Sequence, residues 1–175
     1  MVVLSAQLFQ NEDQKKENRL TNEINHISSI SFGHSTISPT VQTYLSENNF
    51  IGYLEQDGQV VTAGFGKEDT YTKGSKTLHI HTFGTRTEYM GQGFCTKIVN
   101  EFIKKFGKTH LIYLTVRTEP DNINIGGIKC YEKNGFIMLP EVYRDHYDGK
   151  NNAMIRIPDS KKKTKRKNKK RTKRY

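Results

Sequence analysis

The sequence predicts a mixed α/β domain. Three observations carry that prediction. The second half alternates strand-like and helix-like segments: strand, helix, strand, helix, strand, strand. The first half contains "FIGYLEQDGQVVTAGFG", two strand-like runs around Asp57-Gly58, a dipeptide suited to a tight hairpin turn. Between the halves, a strand-like run leads into Gly91-Gln92-Gly93 and then into a helical periodicity.

Taken in order, residues 11–28 are polar, with Leu20, Ile24 and Ile27 on one helical stripe. Pro39 suits the first turn of a short helix over 39–47. After the hairpin, 67–75 reads as a connecting loop and "KTLHIHTFGT" (76–85) as a strand. Phe94, Ile98, Phe102 and Phe106, widened by Val99 and Ile103, form the buried stripe of a helix. Lys104 and Lys105 lie in its last turn, and Gly107 suits the position just past its end. "HLIYLTV" (110–116) is a buried strand. A loop, a short helix and an Asn134-Gly135 stop follow, then a strand from Phe136 and a last one in "NAMIRI" (152–157).

The 175 residues suffice for one domain with a proper core. The basic balance is confined to the end. Residues 161–175, "KKKTKRKNKKRTKRY", hold eleven of the 28 Lys and Arg and no acid. Residues 1–160 are left with 17 basic and 18 acidic residues, a net charge of −1. A single domain over 1–160 and a disordered basic tail over 161–175 are therefore expected. Such a tail binds polyanions by counterion release and suits a nuclear signal or a nucleic-acid tether. It has no aromatics before Tyr175 for base stacking. No apolar run is long enough to span a membrane. The start lacks the basic region of a signal peptide, and Cys95 and Cys130 have no metal-ligating company at helpful spacing. An intracellular, reduced protein without a metal is the expectation.

Gly-x-Gly between a strand and a helix aims free N–H groups at one point, a site for an anion and above all for phosphate. No Asp or Glu occurs from Tyr89 to Asn100 to compete. The competing reading is a turn that needs glycine only for its backbone angles. A P-loop would need Gly-Lys-Ser/Thr, which is missing, and a Rossmann fingerprint would need a third small residue where Thr96 stands.

Met90-Gly91-Gln92-Gly93-Phe94-Cys95 resembles instead the Arg/Gln-x-x-Gly-x-Gly/Ala motif of the GCN5-related N-acetyltransferase superfamily. Met90 and Cys95 depart from its first and last positions. "NINIGGIKCYEKNGF" resembles the family's later segment: Asn124, Tyr131, Glu132, Lys133, Gly135 and Phe136 match, while Gly127 stands for Ala and Cys130 for Leu. The resemblance covers residues 76–157. It implies a central mixed parallel and antiparallel sheet flanked by helices, and direct acetyl transfer from acetyl-CoA to an amine. Backbone groups of Gly91, Gln92, Gly93, Phe94, Cys95 and Thr96, with Asn124, would bind the cofactor. Phe83 and Thr85 would flank its pantetheine and thioester, in a gap between strands 76–85 and 110–116.

Tyr131 matches the family's general acid, a phenol able to protonate the leaving thiolate; the bland alternative is a core tyrosine. His79 and His81 alternate along the strand, which would put 79, 81, 83 and 85 on one face. Their imidazoles suit removal of a proton from an amine, in a layout that resembles the arylalkylamine acetyltransferases. The bland alternative is a histidine pair filling polar space. A non-catalytic polyanion-binding protein on the same scaffold is the second reading, prompted by Met90 and Gly126-Gly127. The acidic residues Glu141, Asp145 and Asp148 suggest either attraction of a cationic acceptor or a plain surface loop.

Overall fold

The computed structural model describes residues 2–4, 14–32, 45, 49–71, 75–144 and 150–159. The predicted helix at 39–47, apart from Leu45, lies outside these residues, as do Asp145, Asp148 and the basic run 161–175.

The chain forms strand β1 (Val2–Leu4), helix α1 (Gln14–Phe32), strands β2 (Asn49–Gln56), β3 (Gln59–Tyr71) and β4 (Ser75–Thr85), and helix α2 (Phe94–Phe106). Strand β5 (Leu111–Arg117), helix α3 (Ile125–Lys133) and strands β6 (Ile137–Arg144) and β7 (Lys150–Arg156) complete it. All seven strands share one sheet in the order β1-β2-β3-β4-β5-β7-β6. Among the described residues, only the pair β4 and β5 runs parallel. The mixed α/β class predicted from the alternation of elements is borne out, and so is the mixed sheet with flanking helices that the family resemblance implies.

Asp57 and Gly58 both take positive φ, 52° and 77°, in the two-residue turn between β2 and β3. That twist matches the strands it joins. The loop expected at 67–75 is largely strand: β3 runs on to Tyr71, and Lys67 to Tyr71 pair with His79 to Ser75. Cross-strand pairing overrides the polar composition of this stretch. Gly107 is also placed differently. It caps α2 in right-handed geometry at φ −64°, so conformational freedom is not its use. A Cβ there would stand 2.5 Å from the Ile103 carbonyl oxygen and 2.8 Å from Arg156 Nη1.

Each face of the sheet has its own core. Leu20, Ile24 and Ile27 of α1 are buried against Ile51, Tyr53, Ala63 and Phe65. Ile98, Val99, Phe102 and Phe106 of α2 are buried against Leu78, Ile80, Ile112 and Leu114 on the other face, with Tyr131 and Phe136.

A register shift divides β4 between these faces. Phe65 pairs with His81 but Gly64 pairs with Phe83, leaving Thr82 as an extra residue. The expectation that 79, 81, 83 and 85 share a face is therefore corrected. His81 stacks on Phe65 of the α1 core at 6.0 Å between ring centroids, whereas Phe83 packs against the α2 core. One inserted residue reverses the alternation for everything beyond it.

Candidate active site

Beyond β4 the chain is fastened by Arg86. Its backbone N–H donates to Val61 O at 2.9 Å, its Nε donates to Val60 O at 2.8 Å, and its Nη2 pairs with Glu23 of α1 at 2.6 Å. A short 3-10 turn, Thr87–Tyr89, leads to Met90, which is exposed. Gly91 and Gly93 both take φ 77°, where a side chain is strained although space is open. Gly93 caps α2, and the first helical bond is Lys97 N to Gly93 O at 3.2 Å. The N–H groups of Phe94, Cys95 and Thr96 precede that bond and have no acceptor within the helix. Gln92 is exposed and its Nε2 donates to Glu88 O at 3.2 Å.

These amides open onto a cleft of about 600 Å³ between the end of β4, the glycine turn and α3. Phe83, Thr85, Gly91, Gly93, Phe94, Cys95, Thr96, Asn124 and Tyr131 all line it. Gln92, His79 and His81 do not. Phe83 lies over Gly64, where an added Cβ would come within 2.3 Å of its ring. Thr85 Oγ1 is 2.9 Å from Thr62 Oγ1. Asn124 caps α3: its Oδ1 accepts from Gly127 N at 2.9 Å. A Cβ on Gly127 would stand 2.7 Å from Asn124 Nδ2, so the glycine in place of the family's alanine makes room for the cap.

Tyr131 is buried, with its ring centroid 5.9 Å from that of Phe136. Burial, and then negative charge on the neighbouring cysteine pair Cys95 and Cys130, push its phenol well above the ordinary tyrosine range, so it stays protonated. The helix ends on Gly135 at φ 80°, with Phe136 N donating to Tyr131 O at 3.1 Å.

Parallel pairing of β4 with β5 reaches only from Thr77↔Leu111 to His79↔Tyr113. Past that rung β5 continues against β7, while β4 from Ile80 onward has no partner in β5. His79 stacks face to face on Tyr113 at 4.5 Å, and its Nε2 has no hydrogen-bond partner. Burial lowers the pKa of both histidines, that of His81 to about 4 with help from His79 and Lys67. Both are neutral at physiological pH.

Sequence reasoning gave no role to Lys129 and Lys133, which line the cleft one helical turn apart on α3. Their i, i+4 spacing was the available signal. It also missed the meeting of the two cysteines, whose sulfurs lie 2.7 Å apart although 35 residues separate them. No linear pattern carried that contact. Among the described residues no cluster of His, Cys, Asp or Glu suits a metal ion, and no helix is long and apolar enough to cross a membrane.

Comparison with solved structures returns the same fold. One is the NatC complex bound to Gag peptide and CoA, with TM-score 0.66, 17% identity, and coverage of 90% of this chain and 99% of that one. Arabidopsis thaliana Naa50 in complex with a bisubstrate analogue, CoA-Ac-MVNAL, gives TM-score 0.61, 16% identity and coverage of 87% and 96%. The aminoglycoside 6'-N-acetyltransferase from Enterococcus faecium gives 0.64, 13%, and 89% and 96%. At these identities the likeness is one of fold. No curated protein sequence matches. The model of the acetyltransferase (GNAT) family matches residues 18–136, which take in most of α1, the glycine turn, Tyr131 and Phe136. On that match the chain belongs to the GNAT family, the GCN5-related N-acetyltransferases, whose activity is acetyl transfer from acetyl-CoA.

Proposed function

We propose that this chain transfers an acetyl group directly from acetyl-CoA to an amine, with the cofactor in the cleft between α2 and α3. The observation that carries this reading is the set of unpaired N–H groups at the start of α2, opening onto that cleft. The cleft fits a phosphorylated ligand. No carboxylate lies between Tyr89 and Asn100, the glycine turn leaves open space, and Lys129 and Lys133 stand on the opposite wall. When bound, acetyl-CoA supplies an activated thioester.

Chain residues would do the rest. The amides of Phe94, Cys95 and Thr96 hold phosphate, with the glycine turn bringing the backbone close. Tyr131, kept protonated by burial, donates its phenolic proton to the departing thiolate. His79 and His81 face the α1 side, so an amine approaching from that side would reach the cleft through the gap left beyond His79↔Tyr113. An imidazole drawn down to about 4 is unprotonated at any higher pH and so available as a base, but it pulls weakly on an ammonium. Turnover should therefore rise with bulk pH as more of the acceptor arrives uncharged. Neither cysteine is needed as a nucleophile in direct transfer.

The basic run 161–175 would act as a polyanion tether, separate from the catalytic domain at 1–160. Deleting it should leave folding and cofactor binding unchanged and abolish salt-sensitive retention on heparin or nucleic acid. Equal retention of the truncated protein would sink the tether.

Thermal-shift titration with acetyl-CoA and CoA tests the central reading. Ligand at about 100 times its Kd should stabilise the fold by about 2.7 kcal/mol. No shift at millimolar cofactor would leave the scaffold as a non-catalytic one, with polyanion binding as its activity.

A further inference from the structure

Cys95 lies in the first turn of α2, and Cys130 precedes Tyr131 on α3. Both line the cleft, and they bring its two helical walls together at one point. Both are free thiols, with Sγ atoms 2.7 Å apart. Closing that separation to a bond of about 2.05 Å takes roughly 0.7 Å of movement. Thr96 Oγ1 lies 3.5 Å from Cys130 Sγ. The hydrogen bond from Cys95, then that from Thr96 and the charge of Lys133, draw the Cys130 thiol down to about 7. The Cys95 thiol is pushed up as the donor in that bond and by burial. One sulfur is thus poised as thiolate and the other as thiol, the arrangement of an attacking and a resolving cysteine.

We propose that Cys95 and Cys130 form a redox-responsive dithiol whose oxidation to an intrachain disulfide blocks cofactor binding by pinning the first turn of α2, with its cleft-facing N–H groups, to α3. The co-reactant is a hydroperoxide. The Cys130 thiolate attacks the outer oxygen, the O–O bond breaks, and Cys130 becomes a sulfenic acid while an alcohol or water leaves with a proton. Cys95 sulfur then attacks Cys130 sulfur. The S–O bond breaks, water leaves with the Cys95 proton, and the S–S bond forms. Two thiols lose two electrons and the peroxide gains them. In a reducing compartment the pair rests as thiols, and thiol exchange restores it. The link would bind the first turn of α2, whose N–H groups face the cleft, to the helix carrying Tyr131. The effect on function rests on the reading of this cleft as the acetyl-CoA site.

The test uses the full-length protein, reduced, desalted and treated with stoichiometric hydrogen peroxide. Digestion without reductant should yield a linked peptide joining Cys95 and Cys130, two hydrogen atoms lighter than the separate peptides. The oxidised protein should lose its thermal shift with acetyl-CoA, and dithiothreitol should restore it. Cys130→Ser should give no linked peptide and keep in peroxide whatever shift it shows beforehand. Absence of the link in the unmodified protein overturns the proposal, and so does a link that leaves the shift intact. If reduced protein shows no shift at all, it is the cofactor reading that fails; the linked peptide still decides the thiol chemistry.

Discussion

Strand β4 carries four residues expected at the site, His79 and His81 as bases and Phe83 and Thr85 beside the cofactor, and one inserted residue sends the two pairs to opposite sides of the sheet. Phe83 and Thr85 line the cleft under α2 and α3. His79 and His81 face α1, stacked on Tyr113 and Phe65. The cleft side is built from local features: a glycine turn, a helix start and a capped short helix. The α1 side depends on strand register and on a helix distant in sequence. On the proposed function this becomes a division of labour, with cofactor chemistry on one face and acceptor chemistry on the other, meeting where β4 and β5 part.

The sharpest test of that division is Tyr131→Phe, which keeps the ring and its packing on Phe136 and removes only the hydroxyl. If the cleft side supplies the general acid, kcat should fall by roughly 10²–10⁴-fold while cofactor affinity holds. If Tyr131 only fills the core, kcat stays at the unmodified level and Tm changes little. Measuring kcat and Tm on one preparation separates the two.

The α1 side should announce itself through pH. The unfolded chain protonates His81 near 6.5, whereas the folded chain resists until about 4, chiefly because the ring is buried. Between those values the unfolded state holds more protons, so stability is full above pH 6.5 and falls as pH drops toward 4. The loss at the acid end is on the order of 3 kcal/mol. His79 contributes with the same sign. His81→Asn should flatten the curve of Tm against pH across that window, leaving the slope due to His79. An unaltered curve would mean that His81 is freely solvated and the face assignment is wrong.

These contrasts also explain what could be read in advance. The hairpin at Asp57-Gly58, the α2 stripe and the Asn134-Gly135 stop were legible because each is a local demand of backbone geometry or periodicity on residue type. The glycine turn was legible for the same reason. The stretch 67–71 was not, because polar residues there are held in a strand by their partners across β4. Nor was the face of Phe83 and Thr85. The extra Thr82 leaves no mark in composition, and only the pairing of β3 with β4 reveals it. The cysteine contact needs α2 and α3 to meet.

A smaller effect is expected from Gly93→Asp. Left-handed geometry at this position costs a side chain about 1 kcal/mol. The carboxylate would also stand among N–H groups meant for an anion and repel it. Acetyl-CoA affinity should fall by roughly tenfold to a hundredfold, at 1.4 kcal/mol per decade, with His81 behaviour untouched. Unchanged affinity in a calorimetric titration would reduce the glycine turn to a bend in the chain.

The finest comparison lies within the cleft side, between two adjacent glycines at the start of α3. Gly126 and Gly127 both weaken the helix, since glycine costs about 1 kcal/mol against alanine in a helix interior. Their surroundings differ. A Cβ on Gly126 would meet nothing within 4 Å, so Gly126→Ala should recover part of that propensity and raise Tm slightly. A Cβ on Gly127 would press on Asn124 Nδ2 at 2.7 Å and on Cγ at 2.9 Å. The Asn124 side chain would have to turn away, and its bond from Gly127 N would be lost. Losing such a cap costs about 1 kcal/mol, which cancels the gain. Gly127→Ala should therefore be neutral or mildly destabilising despite being the residue usual in the family. Because Asn124 also lines the cleft, Gly127→Ala should weaken acetyl-CoA binding. Equal Tm gains in both variants, with cofactor affinity kept in Gly127→Ala, would show that Asn124 swings aside freely and that its cap places nothing in the cleft.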